Sequence, residues 1–348
     1  VKTFKAAGVE AIAVALLYSV LNDAHERRTG EIVRRLWPEV WVSISSDVVP
    51  ILGEYERSST TVLNCYVAQR VVAYLRTMDR RLRELGLKRG ILLVQSNGGV
   101  ISVDRIASRP VNLVLSGPAA GVGALDLYRP LAGSNDLIAM EIGGTSCDVT
   151  MMSNAVVQAT DQLLIGGYHV SVPAVEIYTV GAGGGTIAAV DAAGLLTVGP
   201  GGAGAQPGPA AYGLGGQNPT VTDALLVLGR LRSGPLAGGA VSLDMEKAVA
   251  AIRRNIAQPL KLGVREAAVG IVRLLEQNLL HAVETISTER GYNPRRFTLV
   301  ACGGAGPMHG VSVARALGCA RVYVPRQAGA FCAIGMLHAD LRQDFQRV

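Results

Sequence analysis

Strand-like runs that break straight into glycine-rich turns constrain this chain more than any other feature. Phe297 to Cys302 runs into Gly303-Gly304-Ala305-Gly306-Pro307. Leu137 to Met152 reads as strand, tight turn and strand around Gly143-Gly144-Thr145-Ser146, and Val180 leads into Gly181-Ala182-Gly183-Gly184-Gly185-Thr186. Strands that end in glycines and feed helices are the units of α/β proteins, whose parallel strands are apolar on both faces. Composition agrees: 42 glycines in 348 residues, 49% hydrophobic and only 5% aromatic, describe an Ala/Val/Leu interior with backbone-lined sites. The apolar content and a net charge of only +6 exclude disorder, and the glycines follow no collagen-like triplet. No stretch reaches the roughly 18–20 apolar residues of a membrane span. The nearest, Ala11 to Leu21, reads as a buried strand over Ala11–Leu17 running into a turn.

Helical spacing places one long helix from about Ser59 to Leu85, with Leu63, Val67, Val71, Leu75, Met78 and Leu82 on one face. Further helices are expected from Asn22 to Leu36, Asp244 to Ala257, Arg265 to Arg290 and from Pro307 to Gly318. The composition changes at Leu131–Asp136, which predicts two domains, 1–133 and 134–348. The arginines are scattered along helix faces and aromatic partners for bases are few, so a solvated surface is expected rather than nucleic-acid binding. The five cysteines (65, 147, 302, 319, 332) have long spacings and no Cys-x-x-Cys pair. A reducing, cytoplasmic setting without disulfides or structural zinc follows. The chain opens without Met in what reads as mid-domain sequence, so a piece of a longer protein is expected.

Three loops carry the chemistry. In Glu141-Ile142-Gly143-Gly144-Thr145-Ser146-Cys147-Asp148, glycines let backbone N–H groups approach an anion without a Cβ in the way. Thr145 and Ser146 add hydroxyls, and Glu141 and Asp148 could hold the waters of Mg²⁺. An ordinary tight hairpin fits the same spelling. Gly303-Gly304-Ala305-Gly306 sits between strand and helix, where it fits a nucleotide or a close packing turn equally. The Gly181 loop fits a ligand or a hinge. Neither the P-loop nor the dinucleotide fingerprint is present. Asp223 suits a helix cap or a metal, while His309, His281 and Cys147 read as structural.

Two strand-borne glycine loops about 160 residues apart suggest the duplicated fold of actin, Hsp70 and sugar kinases, in which nucleotide lies between two ribonuclease-H-like halves. The chain then resembles the hydantoinase A / 5-oxoprolinase family through six stretches: Glu54–Thr61, Gln95–Gly99, Ser116–Gly121, Gly143–Val149, Thr179–Ala188 and Pro219–Ala224. Gly303–Pro307 fits that family's adenosine-side loop. The resemblance spans essentially the whole chain, with four differences: Glu141 stands at a usual Asp, Cys147 at Thr, Tyr178 at His and Ala211 at Cys. The family's N-terminal Asp-x-Gly-Thr phosphate loop is not found, which implies a first ribonuclease-H-like domain incomplete at its N-terminus.

The resemblance implies ATP-dependent opening of a cyclic amide such as hydantoin or 5-oxoproline, through phosphorylation of the amide oxygen. Gly143, Gly144, Thr145, Ser146, Gly183 and Gly184 would face phosphates. Gly303, Gly304, Ala305 and Gly306 would face adenosine, Glu141 and Asp148 Mg²⁺ or Mn²⁺, and Asp148 and Asn97 the chemistry. A hydantoinase B-type partner is implied, and homo-oligomerisation is left open. A ketone carboxylase of the same family, or a catalytically silent nucleotide-binding module, fits the same residues. All of these readings need the Gly143 and Gly303 turns to converge.

Overall fold

A computed structural model describes residues 1–345. The chain divides into two compact units. The first comprises 1–124, 158–176 and the C-terminal segment from Cys332; the second comprises 125–157 and 177–331. The chain therefore leaves the first unit nine residues before the expected boundary at 133, and two later segments return to it.

In the first unit, β1 (Ala11–Val14) and β2 (Trp41–Ile44) pair in parallel across α1 (Ala24–Leu36), and α2 spans Glu54–Glu84. A hairpin, β3 (Leu92–Val94) and β4 (Val100–Ser102), follows. The first strand is shorter than its apolar run: it stops at Val14, and Leu17 is 78% exposed. Helix α2 begins five residues before the expected start because its first turns carry buried polar residues that hydrophobic spacing cannot register.

Those polar residues tie the unit together. Arg57 is fully buried and donates to the carbonyls of Leu16 (2.7 Å) and Ile51 (3.0 Å), to Ser45 Oγ (3.0 Å) and to Glu54. Glu26, also fully buried, accepts from the Leu16 amide (2.8 Å), Ser45 Oγ (2.7 Å) and the Ser46 amide (3.0 Å). Burial pushes the Glu26 carboxyl up, but these donors outweigh it and hold the group below its ordinary range. Farther along α2, Asn64 bonds Ser43 Oγ and the Val111 amide, and Thr60 accepts from the Ser171 amide. The stretch Glu54–Thr61 is therefore a structural hub.

The second unit is built on a mixed sheet containing β5 (Leu137–Ile142), β6 (Cys147–Ser153), β7 (Ile177–Val180), β8 (Thr298–Cys302) and β9 (Arg321–Tyr323). Its spatial order is β7-β6-β5-β8-β9, with β6 antiparallel to both neighbours and β8 parallel to β5 and β9. This 3-2-1-4-5 order is the ribonuclease-H-like arrangement, so the α/β class expected from the glycine loops holds. Helices α3 (Val221–Val227), α4 (Met245–Ile252), α5 (Val264–Ile286) and α6 (Gly306–Leu317) complete the unit.

Strand alternation decides the two faces of the sheet. Ile138, Met140 and Ile142, with their partners Met151, Val149 and Cys147, join Ile271, Leu275 and Leu279 of α5 in the core. Each such buried side chain contributes about 1.5–3 kcal/mol. Glu141 and Asp148 fall on the opposite face, next to the turn.

Replacing Arg57 by Ala leaves Glu26 buried without the guanidinium that shares Ser45 and Leu16 with it. We expect a loss of about 3–5 kcal/mol in urea unfolding, as for other broken buried charge networks. An unchanged urea midpoint would mean the hub contributes nothing to stability.

Candidate phosphate-binding turn

The site is assembled at one end of β5 and β8. Gly303 (φ +78°) lies so close to β5 that a Cβ there would be 2.3 Å from the Ile142 carbonyl oxygen, and the Ala305 amide donates to that same oxygen at 2.9 Å. The turns at Gly143 and Gly303 therefore lie side by side at the end of the sheet. A parallel strand's carboxyl end is also where α/β proteins receive ligands.

The Gly143 turn is held from behind by the Gly181 loop. The Gly184 amide donates to the Gly143 carbonyl (3.0 Å) and the Gly185 amide to the Gly144 carbonyl (2.7 Å). Both peptides are trans, so each inward carbonyl turns the following N–H the other way. Gly144 and Thr145 thus present consecutive amides outward, and among the described residues no acceptor takes either one. Gly143, Gly144, Thr145 and Gly304 are exposed, and a Cβ on Gly144 or Gly304 would meet nothing within 4 Å. Two adjacent outward amides with open space before them make an anion cradle.

The structure gives Gly183 and Gly184 a different part from the phosphate contact expected of them. Both are buried, and the Gly183 amide is taken by Thr186 Oγ1 (2.7 Å). A Cβ on Gly183 would come within 2.8 Å of Gly144 C and Thr145 N. Their smallness lets this loop reach the Gly143 turn; the Gly184 amide braces that turn, while the Gly183 amide stays within its own loop.

The carboxylates sit side by side. Glu141 and Asp148 are register partners, which sets Cβ atoms about 4.5–5.5 Å apart on one face. Thr179, the next residue in that cross-strand row, donates to Asp148 Oδ1 at 2.5 Å. Burial pushes the Asp148 carboxyl above its ordinary range, and the Thr179 hydroxyl offsets only part of that. Among the described residues no group of three or more His, Cys, Asp or Glu could hold a metal. Two carboxylates beside a pair of outward amides fit Mg²⁺ or Mn²⁺, which keep several waters.

The remaining candidates resolve individually. Asn97 belongs to the first unit and is 5% exposed; its amide donates to Asp344 (2.5 Å) and its Oδ1 accepts from the Gly99 amide (2.8 Å), so it braces its own turn. Asp223 is fully buried and takes the Ala210, Ala211 and Thr220 amides together with Thr220 Oγ1, which settles its two readings for a cap. Tyr178 lies on the other face of β7 from Thr179 and packs against the core, away from Asp148. His309 is buried on α6 and bonds Glu276 of α5 at 3.2 Å. Cys147 is fully buried, and burial lifts its thiol far above the reactive range. His281 is exposed on α5. Sequence reasoning missed Thr186 and Thr222, which act through contacts across 3 and 38 residues.

Because folding raises the Asp148 pKa, its ionisation in the folded state costs stability, and that cost grows as pH rises through the raised value. Asp148→Asn should therefore raise the Tm at pH 7–8. The gain should vanish below about pH 4, where the carboxyl is protonated in both states. Thermal scans against pH check this, and a lower Tm at pH 8 would contradict it.

Known proteins resemble the chain along almost its whole length. The Hydantoinase/oxoprolinase profile matches residues 57–345, and the Hydantoinase/oxoprolinase N-terminal region profile matches residues 1–37. The chain is 40% identical over 342 residues, 98% of its length, to caprolactamase subunit alpha from Pseudomonas jessenii, covering 49% of that protein. The crystal structure of ATP-dependent caprolactamase from the same organism superposes with a TM-score of 0.86 at 39% identity, over 98% of this chain and 49% of that one. Nucleotide-free acetone carboxylase superposes at 0.85 and 32% identity, over 97% and 48%. The chain thus spans about half the length of these relatives. It belongs to the hydantoinase/oxoprolinase family.

Proposed function

We propose that this chain carries the ATP site of an enzyme that opens cyclic amides. The observation that supports this most directly is the pair of outward amides, Gly144 and Thr145, beside two paired carboxylates. Phosphoryl transfer asks a protein for position and charge neutralisation rather than covalent chemistry. The Gly144 and Thr145 amides would receive phosphate oxygens, with the Thr145 and Ser146 hydroxyls beside them. Glu141 and Asp148 would hold the waters of Mg²⁺ or Mn²⁺, which neutralises phosphate charge when bound. The exposed Gly304 turn would lie alongside the nucleoside.

In this reading the amide oxygen of the ring attacks the γ-phosphorus of ATP and the bond to the β-phosphate oxygen breaks, giving ADP. Water adds to the activated ring carbon. The C–N bond opens to leave an acyl phosphate, which a second water hydrolyses to carboxylate and free phosphate, so a lactam, ATP and two waters become an amino acid, ADP and phosphate. The relative named as a subunit supports a partner subunit that completes the reaction. The likeness to acetone carboxylase supports a second reading, in which ATP activates a ketone and bicarbonate for carboxylation.

The test is ADP release by the full protein with its partner subunit, offered caprolactam, 5-oxoproline or hydantoin. We expect ring-dependent ADP formation that EDTA abolishes and Mg²⁺ or Mn²⁺ restores. Asp148→Asn should lower the turnover about 100-fold or more. ADP formation that requires bicarbonate and a ketone selects the carboxylase. Nucleotide binding with no turnover on any substrate selects a silent module.

A further inference from the structure

We infer that Thr222, a residue with no place in the expected site, is a positioning residue for phosphoryl transfer. The inference rests on reading the Gly143 turn as the phosphate site. Thr222 occupies the first turn of α3. Capping of that helix is already complete without it: Thr220 and Asp223 form a reciprocal capping box, and Asp223 also takes the amides of Ala210 and Ala211. Thr222 instead directs both its donors at a single atom. Its amide and its Oγ1 each lie 2.8 Å from the Gly184 carbonyl oxygen.

The contacts then run in series. Thr222 grips the carbonyl of Gly184, and the Gly184 amide grips the carbonyl of Gly143. That carbonyl fixes the peptide plane whose other side is the outward N–H of Gly144. One residue farther on, Gly185 does the same for Thr145, with its own carbonyl held by the Ala203 amide (2.9 Å). Thr222 is a buried residue, 7% exposed, so water does not replace its hydroxyl's bond when it is lost. Donors aimed at developing charge act through their fixed orientation. A loosened Gly184 therefore weakens catalysis more than it weakens nucleotide binding.

The experiment compares wild type, Thr222→Val and Thr222→Ser in the full protein with its partner subunit. The first readout is amide hydrogen exchange at Gly184 and Gly185 without nucleotide. The second is kcat and KM for ATP. We expect Thr222→Val to exchange faster at Gly184 and to lose on the order of tenfold in kcat with little change in KM. Thr222→Ser, which keeps the hydroxyl, should bring both back toward wild type. Unchanged exchange at Gly184 overturns the inference. So does a rate loss that Thr222→Ser fails to recover while exchange rises throughout β5 and β8, since that describes a merely weakened fold. A wild-type protein that consumes no ATP sinks the proposed function instead, and the exchange comparison still decides whether Thr222 holds the turn.

Discussion

Two carbonyl oxygens, those of Gly143 and Gly144, govern the character of the site. Left to solvent, a four-residue hairpin turn has no reason to display one edge of its peptides rather than the other. The amides of Gly184 and Gly185 remove that freedom by drawing both carbonyls inward. A rigid peptide plane then converts an inward acceptor into an outward donor. The close approach works only because Gly183 and Gly185 lack a Cβ, and because Gly303 leans on Ile142 from the other side.

The sequence exposed the parts of this arrangement that are local. Apolar runs at Leu137–Ile142 and Thr298–Cys302, each ending in glycines, mark strand ends, and the acids flanking Gly143-Gly144 mark a hairpin with two carboxylates on one face. Register alone places Glu141 opposite Asp148 once the turn is recognised. Spacing could not tell which glycines present free amides and which hold the turn that does. Gly183 and Gly184 have the same spelling as Gly143 and Gly144, but tertiary contact engages the amides of one pair and leaves outward amides on the other turn. Thr222 left one faint sign: Thr220-Val221-Thr222-Asp223 contains one more hydroxyl than a capping box uses. In the same way, no local composition records that 158–176 belongs with the first compact unit.

The first unit adds a buried polar network to its small apolar clusters. Glu26, Arg57, Thr60, Thr61 and Asn64 are all fully buried. All but Thr61, which bonds the Arg57 carbonyl within its own helix, satisfy backbone groups outside that helix, including Leu16, Ile51, Ser108 and Ser171. Such a network leaves no periodic trace, and that is why the start of α2 was hidden. It also shows that a stretch can mark a family through its architecture: Glu54–Thr61 carries resemblance while its arginine supports loops.

The contact between Gly303 and Ile142 has a mechanical side. A backbone atom seated against the last carbonyl of β5 leaves no slack between neighbouring strand ends, and the Ala305 amide pins the same oxygen. The two bends must then travel together as one stiff ledge. A displacement of one is felt by the other, so this end of the sheet is an anvil rather than a pair of independent fingers.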